Sequence, residues 1–218
     1  MVYIASIEQL TEGVSPTKEQ LGPYYNEKVC DRRGTKRYHE TLAGALLLRQ
    51  ALLAESYPPL PALPIAETGK GKPVLAPGDF FFSISHSGDY VACGLSDTPI
   101  GVDLEQLQAI RSPIARKLCH PQEIAQLQTA ERPEELLLAS WVVKESYSKM
   151  TGDGLTVSLT SLPVWVADGQ PVSSREDIEL TLFRPEGGVP MLLCVCREKT
   201  DRPRPPMKMI PIESRPPA

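Results

Sequence analysis

The stretch Phe80–Glu105, FFFSISHSGDYVACGLSDTPIGVDLE, reads as a β-hairpin followed by a short acidic strand. Phe80–Ser85 and Tyr90–Leu95 have the apolar content of paired strands, and His86-Ser87-Gly88-Asp89 supplies a turn between them. Ile100–Leu104 then forms an apolar strand that ends in acid. Asp103 and Glu105 are two residues apart, so on a strand they share a side. Further along, WVVKESYSK (Trp141–Lys149) adds Glu145. Three carboxylates facing one point repel each other unless one is protonated or a cation binds. The trio therefore reads as a candidate cation site, and the rest of the chain as what is built around it.

Working outward, Val2–Ile7 is a β-branched opening strand, and Ser15-Pro16 with Glu19 resembles a helix start with serine at the cap. Lys28, Arg32, Arg33, Lys36 and Arg37 form a basic cluster, either a solvated face or a patch that meets phosphate. Leu42, Leu46, Leu47, Leu48, Leu52 and Leu53 recur with helical spacing over Thr41–Glu55, a core helix that the prolines from Pro58 onward end. Thr68-Gly69-Lys70-Gly71-Lys72-Pro73 is a Gly/Lys loop but not a Walker A loop, because proline stands where serine or threonine would bind magnesium.

Beyond the acidic strand, Ser112-Pro113 and Pro121 mark two short helices, and Arg132-Pro133 starts a long one through Met150. Glu145 and Lys149 are four apart on that helix, which by itself suggests an ordinary ion pair worth roughly 0.2–0.5 kcal/mol. Strands are expected at Leu162–Ala167, Ile178–Phe183 and Met191–Arg197, and the Pro-rich residues after Thr200 read as a tail, either packed only at Met207–Ile212 or left disordered.

The chain has 218 residues, 41% of them hydrophobic and 23% charged, with a formal net charge of −4. That balance fits a soluble globular protein and argues against non-specific nucleic-acid binding. No signal-like leader or membrane-length apolar run is seen, so a cytoplasmic protein with no membrane partner is expected. Five scattered cysteines without CxxC read as buried reduced thiols rather than a disulfide framework or a zinc site.

Four segments in this order resemble the surfactin-type 4′-phosphopantetheinyl transferases: Gly71–Pro73 (GKP), Phe82–Gly88 (FSISHSG), Ile100–Glu105 (IGVDLE) and Trp141–Lys149 (WVVKESYSK). The resemblance implies an α+β fold of two similar lobes related by a pseudo-twofold, with the active site between them. It implies an N-terminal lobe over 1–99 with coenzyme contacts, a C-terminal lobe over 100–200 with the metal site, and a tail over 201–218. It also implies a reaction in which the phosphopantetheine arm of coenzyme A moves to a serine of an apo acyl, peptidyl or aryl carrier protein, releasing adenosine 3′,5′-bisphosphate.

By the same resemblance Asp103, Glu105 and Glu145 match magnesium ligands, with manganese the alternative. Lys28, Thr41, Lys72, Ser85, His86 and Lys149 match positions that contact the coenzyme. Glu145 and Lys149 are the catalytic pair: Glu145 as general base, directly or through a metal-bound water, or as a ligand only, and Lys149 as a clamp on the pyrophosphate. Lys144 falls in the same motif but is not placed among the principal site residues. One departure stands out: Glu40 occupies the position before Thr41 where many relatives carry a basic residue, and Arg37 one turn earlier is the candidate to restore the charge.

Arg111, Ile114, Arg116, Lys117 and Leu118 are candidates for a carrier-docking face, against the plain reading of an amphipathic helix. The protein is expected to be a monomer. Two competing functions are a degenerate relative that only binds carrier protein or coenzyme A, and a metal-dependent hydrolase of nucleotide pyrophosphates.

Overall fold

The computed structural model describes residues 1–14, 17–75, 80–107, 115–154, 157–185, 190–201 and 209–211. The chain divides into two units, Met1–Asp97 with Met207–Ala218, and Thr98–Pro206. Each is a small sheet carrying helices, so the protein is α+β.

In the first unit the elements run β1 (Val2–Ser6), α1 (Ile7–Thr11), α2 (Lys18–Asp31), α3 (Lys36–Ala54), β2 (Ile65–Glu67), β3 (Pro73–Leu75), β4 (Phe81–Ser87) and β5 (Tyr90–Ser96). The Ser15-Pro16 cap lies outside the described residues. The helix begins instead after Thr17, where Gln20 closes a capping box on the Thr17 backbone N–H. The sheet order is β11-β1-β5-β4, with β11 (Met209–Pro211) parallel to β1 and the other pairs antiparallel. α3 starts five residues before the expected Thr41. Its Leu42, Leu46, Leu47, Leu48 and Leu52 are buried, but Leu53 is exposed, because it points away from the stripe the others share.

The β4–β5 hairpin corrects the expected turn. Ser87 pairs directly with Tyr90, so His86 and Ser87 belong to the strand and only Gly88 and Asp89 form the loop. Gly88 has φ 56° at the first central position, as a type II′ hairpin requires. The consequence is alternation: Phe82 and Ile84 pack on the hydrophobic core, whereas Ser83, Ser85 and Ser87 are buried on the opposite face.

The second unit contains β6 (Ile100–Gln106), α4 (Ala115–Leu118), α5 (Pro121–Leu127), α6 (Pro133–Thr151), β7 (Val164–Ala167), β8 (Gln170–Ser173), β9 (Ile178–Phe183) and β10 (Met191–Glu198). Its sheet is antiparallel in the order β6-β10-β9, and β7 and β8 form a separate hairpin through Asp168 and Gly169, both at positive φ. α6 opens with Pro133 at its first turn and stops at Gly152, left-handed at φ 78°, whose N–H donates to Ser148 O. Val142, Val143 and Met150 pack against Leu192, Cys194 and Cys196 of β10. Among the described residues no helix is long and apolar enough to cross a membrane.

Of the cysteines, Cys93, Cys119, Cys194 and Cys196 are buried and free, as expected, while Cys30 is exposed. Burial pushes the Cys93 and Cys194 thiols up to about 12, which keeps them protonated and unfit as nucleophiles or ligands.

Candidate active site

β6 and α6 build an acidic cluster in the second unit. Ile100, Val102 and Leu104 alternate with Gly101, Asp103 and Glu105, so the glycine and both acids share one side of the strand. Gly101 sets how closely the helix lies on that side. A Cβ there would fall 1.9 Å from Ser146 O and 2.3 Å from the Met150 N, so only hydrogen fits. Ser146 and Met150 are one turn apart over Gly101, and Glu145 and Lys149 form the adjacent row, which brings them to Asp103. Lys149 Nζ donates to Asp103 Oδ1 at 2.6 Å. The lysine therefore clamps the strand acid, where the (i, i+4) spacing alone pointed to Glu145.

Asp103 is almost fully buried, and Glu145 Oε1 is buried with no hydrogen-bond partner among the described residues. Burial raises the Glu145 carboxyl above the ordinary carboxylate range, Asp103 raises it further, Lys149 opposes them and Glu105 adds a smaller push. Both strand acids thus act on Glu145 within this unit. Among the described residues no three His, Cys, Asp or Glu side chains stand at metal-ligand spacing. Like charges hold apart, and the Lys149 ammonium takes one oxygen of Asp103. The donor set is all oxygen, which suits a hard divalent cation.

Lys28, Thr41, Lys72, Ser85 and His86 lie in the first unit. Lys28, in the last turn of α2, sits 2.8 Å from Glu67 Oε1 on β2 and over the Tyr24 ring, and Tyr24 OH donates to the same oxygen at 2.7 Å. These partners, Lys28 first, hold the Glu67 carboxyl below its usual range. Thr41 on α3 donates to Arg37 O at 2.7 Å and accepts from Arg32 Nη1 at 2.5 Å. Arg32 brings a guanidinium to Thr41. The basic cluster in the sequence contained it, and the tight α2–α3 connection, where Thr35 donates to Arg32 O, lets it reach.

Lys72 closes the β2–β3 loop, its N–H on Thr68 Oγ1 at 3.1 Å, and burial lowers its ammonium below the usual lysine range. Glu40 lies 3.8 Å from His86 Nε2. The geometry is a continuous seam: Gly44 of α3 meets Ile84, and one turn earlier Glu40 meets His86, two residues on along β4. Ser85 and His86, adjacent in sequence, therefore point to opposite faces of the strand.

In the second unit Lys144 is fully buried against Glu123 on α5, a partner that sequence reasoning missed. The His120-Pro121-Gln122-Glu123 run does carry a capping signal, since Glu123 accepts the His120 N–H. Of the docking candidates, Arg111 and Ile114 lie outside the described residues, as does the Arg116 side chain; Lys117 is exposed and Leu118 buried.

Comparison with known proteins identifies the family. Residues 99–185 match the profile of the 4′-phosphopantetheinyl transferase superfamily. The transferase psf-1 of Bacillus pumilus is 33% identical over 79% of this chain and 73% of that protein. The transferase Sfp of Bacillus subtilis (strain 168) is 28% identical over 86% and 84%. A crystal structure of Thermotoga maritima holo-[acyl-carrier-protein] synthase overlaps 47% of this chain and 64% of that chain at 19% identity and a TM-score of 0.38, too slight to bear on the site. The chain belongs to the 4′-phosphopantetheinyl transferase superfamily. It is a transferase that moves the 4′-phosphopantetheine group of coenzyme A onto apo carrier proteins.

Proposed function

We propose that the two units divide this reaction between them, with Asp103, Glu105 and Glu145 holding a divalent cation and the first unit holding the anionic groups of coenzyme A. The observation that carries the reading is the carboxylate cluster clamped by Lys149, with one buried Glu145 oxygen that has no hydrogen-bond partner among the described residues. Such a cluster is costly unless positive charge completes it. Magnesium, or manganese in its place, would offset the charge of the pyrophosphate as its anhydride bond breaks.

The chain's own residues do the rest. Glu145 accepts the proton from the carrier serine hydroxyl as its oxygen bonds to phosphorus and the bond to adenosine 3′,5′-bisphosphate breaks. A carboxyl raised by burial is better suited to that role than an ordinary one. Lys149 and Lys72 meet the pyrophosphate, together with Ser85 and His86, and Lys28 and Thr41 meet the remaining anionic groups. Arg32 joins this last group through its contact with Thr41. The protein acts as a monomer in the cytoplasm, and the degenerate-binder reading finds no support in a site that keeps all three acids and Lys149.

Calorimetric titration with Mn2+ tests the cation site. The parent should bind the ion, and Glu145→Gln should lose at least about tenfold in affinity, since removing a ligand costs no less than removing its support. Equal binding by parent and variant would sink the assignment.

A further inference from the structure

Lys144 and Glu123 are both completely shielded from solvent, and neither has a part in the chemistry above. Lys144 Nζ donates to Glu123 Oε2 at 2.5 Å and to Leu118 O at 2.6 Å. Glu123 in turn accepts the His120 N–H on Oε2 at 2.6 Å and the Val166 N–H on Oε1 at 3.0 Å. One ammonium and one carboxylate thereby tie α6 to the end of α4, the start of α5 and β7.

A buried ion pair is weak evidence for stability, because desolvation offsets the attraction and an uncharged pair of similar volume is often as stable. Its distinctive property is geometric: every charged or polar atom has a partner in only one arrangement. Lys144 immediately precedes Glu145 on α6, and Lys149 follows a little over one turn later. A lysine anchored at its tip fixes the rotation of the helix, and with it the direction in which Glu145 and Lys149 point.

We propose that the Lys144–Glu123 pair is the positioning element of the transferase site, holding α6 at the rotation that presents Glu145 and Lys149 to Asp103. The proposal rests on the cation-site reading above. Both residues act through Glu145 and Lys149 rather than on the reacting atoms.

The test is the double variant Glu123→Gln/Lys144→Met, which removes both charges with little change in volume. It should melt within a few degrees of the parent. Its Mn2+ affinity should fall about 10–100-fold, the range for residues that orient metal ligands. Its kcat should fall about 100-fold, as for a displacement near 1 Å. In a Glu145→Gln background the same double change should cost clearly less kcat than in the parent, because part of its effect acts through that residue.

Parent-like melting with parent-like Mn2+ affinity and kcat overturns the proposal, and so do losses that add fully in the Glu145→Gln background. A parent that binds no Mn2+ removes the cation site and this proposal together, a failure distinct from equal binding by parent and variant. Should the double variant not fold, hydrogen exchange in the parent decides. Coenzyme A with Mg2+ should slow the His120 and Val166 amides more than those of the β9–β10 ladder; equal slowing overturns the proposal.

Discussion

In the N-terminal unit the glycine where helix meets sheet lies on the helix. Gly44 of α3 faces Ile84, and an added Cβ would come 3.2 Å from a side-chain methyl that can shift. In the C-terminal unit the glycine lies on the strand, and a Cβ on Gly101 would strike the α6 backbone itself. The second seam is therefore the tighter one, and the groups proposed to act there are acids carried on the packed strand and helix. The first unit relies on long side chains, Lys28, Arg32 and Lys72, drawn from a helix end and loops. Chemistry that depends on the placement of carboxylates belongs on rigid elements, while anion recognition tolerates flexible cations.

The largest expected effect breaks the tighter seam. Gly101→Ala should destabilise the protein by more than about 4 kcal/mol, the range reserved for overpacking against atoms that cannot move. Gly44→Ala should stay within about 1 kcal/mol either way, since a gain in helix propensity opposes a small displacement of Ile84. Denaturant unfolding of the two variants measures both, and equal effects would erase the contrast.

A smaller effect concerns the basic side. Lys28→Ala and Arg32→Ala should each raise the coenzyme A KM about tenfold, the worth of one hydrogen bond to a charged group, and leave kcat nearly unchanged. A fall in kcat with constant KM would place these residues in the chemistry instead of in recognition.

The smallest is a pH slope. The folded state holds the Glu145 carboxyl above its ordinary value, so it binds more protons than the unfolded chain between those two values. Stability of metal-stripped protein should then decline as pH rises through that window, and the decline should vanish in Glu145→Gln. Thermal melts across pH read this directly, and a slope unchanged by the substitution would remove Glu145 as its source.

The sequence revealed most where periodicity carried the information. Alternation along Ile100–Glu105 placed Asp103 and Glu105 on one side, and proline and glycine bracketed α6 from Pro133 to Gly152. It failed where a turn had to be located among several turn-forming residues. Ser85-His86-Ser87-Gly88-Asp89 offers more loop formers than the two-residue connection uses, so His86 and Ser87 were expected in the turn when both belong to the strand. It also failed where the partner is distant in the chain: nothing local joins Lys144 to Glu123, and nothing local points from Arg32 to Thr41. Leu53 continued the leucine pattern of α3 yet faces solvent, since a run of adjacent leucines encircles more of a helix than one core can cover.

The central claim is that phosphopantetheine transfer runs on the acids of the C-terminal unit. The most direct measurement is the intact mass of an apo carrier protein after incubation with coenzyme A, Mg2+ and either the parent enzyme or Asp103→Asn. The parent should add one phosphopantetheine group to the carrier while the variant leaves it unmodified over the same interval. A carrier charged equally fast by both proteins, or adenosine 3′,5′-bisphosphate released by the parent without any gain in carrier mass, would contradict the account.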